Sequence, residues 1–86
     1  MSVIRKFIEE NKISFAEGQR NSSIVTLIGY SLYLGMNQED LENELLEEAK
    51  QDVFIENEIE RLWNFCKNKN YGNWWENEKN RKTFII

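Results

Sequence analysis

The chain has 86 residues, 41% hydrophobic and 13% aromatic, which is enough for one small domain with a single core. It contains no histidine and one cysteine, Cys66, which excludes Ser-His-Asp and Cys-His catalysis, zinc sites built from His or several Cys within one chain, and an internal disulfide. Lacking those groups, the chain is expected to be a binding protein rather than a self-sufficient enzyme; its net charge of −4 argues against a general nucleic-acid binder.

Val3, Ile4, Phe7 and Ile8 follow helical spacing behind Ser2 and predict a short helix over 2–10. Residues 11–20 read as a connector, with Ile13 and Phe15 dipping into the core and Gly18 at a turn. Asn21 or Ser22 is placed to cap a second helix running to about residue 34. Ile24, Val25, Leu27, Ile28, Leu32 and Leu34 surround that helix almost completely, as befits the most buried one. Gly35 supplies a left-handed stop. Asn37 then caps a third helix over 38–51, striped by Leu41, Leu45 and Ala49, with Glu39, Asp40 and Glu42 near its positive end. A fourth helix over 56–69 carries Ile59, Leu62, Trp63 and Cys66 on one face, all read as core, and Lys67 and Lys69 at its end. Tyr71-Gly72, Trp74-Trp75, a charged stretch and Phe84-Ile85-Ile86 complete the chain. The expected fold is an all-α single domain over 1–86: a small bundle of three main helices after a short leading helix, with a C-terminal tail over 72–86. With no bilayer-spanning apolar run and no signal-peptide pattern, the expected location is cytoplasmic, with no membrane partner.

Charge is distributed in blocks. Residues 1–38 hold four cations against three acids, a net +1; residues 39–60 hold ten acids against Lys50 alone, a net −9; residues 61–86 hold six cations against Glu76 and Glu78, a net +4. The second and third predicted helices have the outline of a helix-turn-helix. The second member of that pair, however, would present Glu39, Asp40, Glu42, Glu44, Glu47 and Glu48 to phosphates, which is the wrong sign for DNA. Acids spaced in this way along one helix do not converge on a magnesium ion either, so no metal site is expected. An acidic face that docks on a basic partner, as an interaction module or a nucleic-acid mimic, is one functional reading.

The basic end supports another. Lys67, Lys69, Lys79, Arg81 and Lys82 interleave with Tyr71 and Trp75, and cations beside aromatic rings are how proteins hold single-stranded nucleic acid. Phe84-Ile85-Ile86 is costly to expose and either folds back on the domain or inserts into another protein; with Trp74 these residues are the expected grip on a protein partner, because apolar anchors carry most interface energy. Adjacent residues do not share a face, so both tryptophans cannot enter one core; the equal alternative is that one of them plugs the bundle.

The segment Glu17-Gly18-Gln19-Arg20-Asn21-Ser22-Ser23, the apolar helix ending in Leu34-Gly35-Met36-Asn37-Gln38-Glu39-Asp40, and the stretch Glu56 to Tyr71 resemble the primase C-terminal domain, type one. This small helical module follows the catalytic domain in many phage and plasmid primase-polymerases, and the likeness covers about residues 13–71. The resemblance implies a non-catalytic accessory subunit that binds a DNA polymerase, of family A, and helps it initiate DNA primers on a single-stranded template. Catalysis and its divalent metal would belong to that polymerase, and this chain would need no cofactor of its own. Arg20 and Asn21 occupy the family's signature positions and join the expected contact with nucleic acid or nucleotide. The competing reading of both is structural, with Asn21 capping a helix and Arg20 bracing the loop.

Overall fold

The structure is a computed structural model that describes residues 2–46 and 52–86. Among these the fold is all-α, without strands. Helix α1 spans Val3–Asn11; the Ser2 hydroxyl accepts the Arg5 N–H at 3.1 Å to start it, and Lys12 (φ 52°) ends it, with the Ile13 N–H returning to the Ile8 carbonyl. Helix α2 spans Arg20–Tyr33 and so begins ahead of the expected caps. Gln19 takes the cap position without a side-chain cap bond, and Asn21 spends its carboxamide on a tertiary contact to Glu58 instead.

Gly35 (φ 79°) stops α2 as expected, with the Met36 N–H bonded to the Ser31 carbonyl at 2.9 Å. Asn37 and Asp40 then form a reciprocal capping box at the head of α3, Gln38–Glu44. This helix is shorter than its leucine spacing predicts. Leu45 leaves helical geometry at φ −99° and ψ 17°, and residues 47–51 of the expected helix lie outside the described residues. Helix α4, Val53–Asn68, starts three residues before the expected Glu56, because the Asp52 carboxylate accepts the Phe54 N–H at 2.9 Å and caps the chain there.

The apolar residues around α2 predict its central place, and Ile24, Leu27, Ile28 and Tyr30 are buried. It packs on α4 and on a short helix that follows; α3 packs on α4, and α1 on α3. Trp63 and Cys66 face this core from α4, where burial raises the Cys66 thiol pKa. No described helix is long and apolar enough to cross a membrane.

The last sixteen residues, of which 72–86 are expected as a tail, take the fold-back alternative. They do not trail as a tail but fold back over the bundle as two single-turn helices, α5 (Tyr71–Trp74) and α6 (Glu78–Arg81), followed by a short return. Helix α5 lies so close to α2 that a Cβ at Gly72 would come within 3.1 Å of the Leu32 Cβ. Phe84 then reaches Phe7, with ring centroids 5.4 Å apart. The Asn11 carboxamide clamps the neighbouring backbone in both directions, donating to the Ile85 carbonyl at 2.8 Å and accepting the Ile85 N–H at 2.7 Å. Burying rings the size of Trp75 and Phe84 favours the folded-back state more than a solvated tail.

Candidate functional site

Two clusters gather the residues that the sequence singles out. The first joins the starts of α2 and α4. The Arg20 guanidinium pairs with the Asp52 carboxylate and lies over the Phe54 ring, 4.5 Å from its centroid. Next to it, Glu58 accepts two hydrogen bonds from Arg61, at 2.8 and 2.7 Å, and one from Asn21 at 3.2 Å. The Arg61 hydrogen bonds, aided by Asn21, hold the Glu58 carboxyl below the usual carboxylate range against the opposing effect of burial. Arg20 and Asn21 therefore hold two helices together. Arg20 has its charge compensated by a carboxylate within the fold, which leaves little for a phosphate.

The second cluster lies at the other end of α2 and is aromatic. Trp75 is 2% exposed and is ringed by Tyr30 at 4.9 Å, Phe84 at 4.9 Å and Phe7 at 5.7 Å. A ring closed in this way offers no face to a base, so the expected stacking role of Trp75 is corrected to that of a core plug. Its neighbour Trp74 is 45% exposed and packs edge-on to it, with centroids 4.9 Å apart. Trp74 thus has the open ring of the pair, and Phe84, expected on the grip, is half-buried against it at 6.1 Å. Ile85 and Ile86 remain exposed.

Between α2 and α5 these rings leave a cleft of about 440 Å³, with Val25, Thr26 and Gly29 on one side and Tyr71, Trp74, Trp75 and Phe84 on the other. Cations stand on the segments that adjoin its aromatic wall. On the Tyr71 side, exposed Phe65 sits edge-on to Tyr71 at 6.0 Å and carries Lys69 over its ring at 5.9 Å. Lys67 is exposed nearby in the last turn of α4. On the Trp74 side, α6 is tied on by the Asn80 side chain, which donates to the Trp74 carbonyl at 2.7 Å. Arg81 donates to the Tyr33 hydroxyl at 2.9 Å and to the Trp75 carbonyl at 3.3 Å. Both acceptors are neutral, and among the described residues no carboxylate pairs with Arg81, unlike Arg20. Lys79 is exposed, and Lys82 makes only a solvent-exposed pair with Glu78 at 3.5 Å, which locks it weakly.

Sequence reasoning missed Thr26, Gly29 and Phe65. The first two lie on a helix so apolar that its surface reads as uniform core, and only the return of α5 turns part of it into a wall. Among the described residues, no group of three or more Cys, Asp or Glu side chains comes together to hold a metal ion. Compared with protein-family models, with curated proteins and with solved structures, the chain finds no match in any of the three.

Proposed function

We propose that the chain is a non-catalytic accessory subunit of a DNA primase-polymerase, one that binds the polymerase and helps it begin primers on a single-stranded template. The observation that carries this reading is the basic aromatic end. The exposed ring of Trp74 belongs to residues 61–86, which hold Lys67, Lys69, Lys79, Arg81 and Lys82 and carry a net charge of +4. Phosphates attract such a surface and bases stack on it. The likeness of residues 13–71 to the primase C-terminal domain supplies the process. The reaction chemistry and its divalent metal are assigned to the polymerase, of family A, and the exposed Ile85 and Ile86 to its grip.

The test is primer synthesis on single-stranded circular DNA by the polymerase with and without this chain. Lys79→Glu combined with Lys82→Glu spares the Arg81 contacts and should reduce priming at least tenfold while the two proteins still co-purify. Ile85→Asp with Ile86→Asp should instead loosen co-purification. Priming that is indifferent to the chain overturns the proposal. The acidic segment supports a rival, a mimic of nucleic acid that occupies a basic groove, because Glu39 and Asp40 are exposed on α3. Loss of partner binding on Glu39→Gln with Asp40→Asn and Glu42→Gln, with the basic-end variant unaffected, would favour it.

A further inference from the structure

The cleft between α2 and α5 has a more specific chemistry than a basic surface. Its volume of about 440 Å³ falls within the ~300–1,000 Å³ typical of small-molecule sites, and its walls are rings. One polar group in it is unused. The indole N–H of Trp75 makes no hydrogen bond among the described residues, although the side chain is 2% exposed. The Nε1 edge reaches the cleft floor at Gly29, where an added Cβ would stand 3.1 Å from it. The N–H is not sealed from solvent, and an indole donor that the fold leaves without a protein acceptor on the wall of an open cleft is available to an acceptor carried by a ligand. On the opposite wall, the Thr26 hydroxyl donates to the Ser22 carbonyl at 2.8 Å, which leaves its oxygen free to accept.

We propose that this cleft takes a single unstacked nucleobase of the strand, held between Trp74 and the Thr26–Gly29 face of α2, with the Trp75 N–H bonded to a ring carbonyl or ring nitrogen. The inference rests on the nucleic-acid reading above and refines it from a surface to a pocket. A planar heteroaromatic ring fits the aromatic walls, and its edge offers the acceptor that Trp75 lacks. A phenylalanine or leucine anchor from a protein would leave that N–H unpaired. The strand's phosphates would then run out over the adjoining segments that carry Lys69, Lys79, Arg81 and Lys82, so that base and backbone are each met by their own chemistry.

The experiment uses the full chain, the fluorescence of Trp74 (the one tryptophan of three that is substantially exposed), and two eight-nucleotide probes: oligothymidylate and an abasic strand of equal length. Oligothymidylate should quench the fluorescence and bind about tenfold more tightly than the abasic strand, a difference in the range of one base–aromatic stack. Trp74→Ala, followed by fluorescence anisotropy of a labelled strand, should bring oligothymidylate down to the abasic affinity. Gly29→Ala, which pushes the Trp75 edge, should weaken oligothymidylate alone. If both probes bind equally, and only Lys79→Glu with Lys82→Glu weakens them, the pocket is refuted while the nucleic-acid surface stands. If neither probe binds, to the chain alone or to its complex with the polymerase, both readings fall. Quenching by a phenylalanine-containing peptide that oligothymidylate cannot displace would overturn the pocket in favour of protein docking.

Discussion

At one end of α2 the bundle is closed by charge, and at the other by rings. The charged closure uses Arg20, Asp52, Glu58, Arg61 and Asn21 to tie α2 to the start of α4, and its ions remain within reach of water. The aromatic closure uses Phe7, Tyr30, Trp75 and Phe84 to tie α1 and α2 to the last residues of the chain, and it buries Phe7, Tyr30 and Trp75 almost completely, with Phe84 half-buried at its edge. Half-solvated ion pairs contribute little to stability but favour one register of two helices over others. Buried rings contribute much more, through area removed from water and through contact between their edges and faces. The two ends also differ in what remains free. Arg20 is neutralised inside the fold, whereas Arg81 is positioned by the neutral oxygens of Tyr33 and Trp75.

The largest expected effect that would sharpen this contrast is Trp75→Ala, which should cost about 3–5 kcal/mol in urea unfolding, while Trp74→Ala costs under about 1 kcal/mol. Equal costs would mean that the aromatic end is not a packed core. Next, Asn11→Ala removes the two-way clamp on Ile85 and should cost roughly 1–2 kcal/mol. Hydrogen exchange should then show faster exchange at Phe84, Ile85 and Ile86 with α4 unchanged. A uniform rise across the protein would show that the clamp acts on the whole fold.

The smallest effect is electrostatic and depends on pH. Glu58 has its folded-state pKa lowered by Arg61 and Asn21, so its contribution is fully present above the ordinary glutamate value of about 4.3 and is lost as pH falls through the lower folded value. Wild type should therefore exceed Glu58→Gln in melting temperature by a constant small margin at neutral pH. The two melting curves should converge in acid. A margin that persists unchanged through the acid range would assign the role of Glu58 to packing instead.

Much of the bundle is legible in the residues themselves. Ser2, Gly35 and Asn37 mark helix ends through local geometry and short side-chain bonds, and these signals hold in any context. The apolar residues around α2 place it centrally, because no orientation of that helix gives it a polar face. Asp52 is an equally local cap, but the apolar face read from the sequence opens at Ile59, so α4 reads as starting too late. The sequence likewise requires that Trp74 and Trp75 take different surroundings, since neighbours on a helical turn point apart.

Which of the two goes inside was decided by the tertiary structure alone. Gly72 lets α5 approach Leu32 and Tyr33 closely, Gly29 leaves room for the Trp75 indole, and Asn11 fixes the return of Ile85 from 74 positions away in the chain. The cleft follows from the same long-range contacts, because its two walls come from segments more than forty residues apart and neither wall is a site without the other. Local chemistry specifies where helices begin and end. The open ring, the unpaired indole N–H and the cations on the adjoining segments become neighbours only when the chain closes on itself, and closure is governed by the burial of rings that no short window of sequence contains.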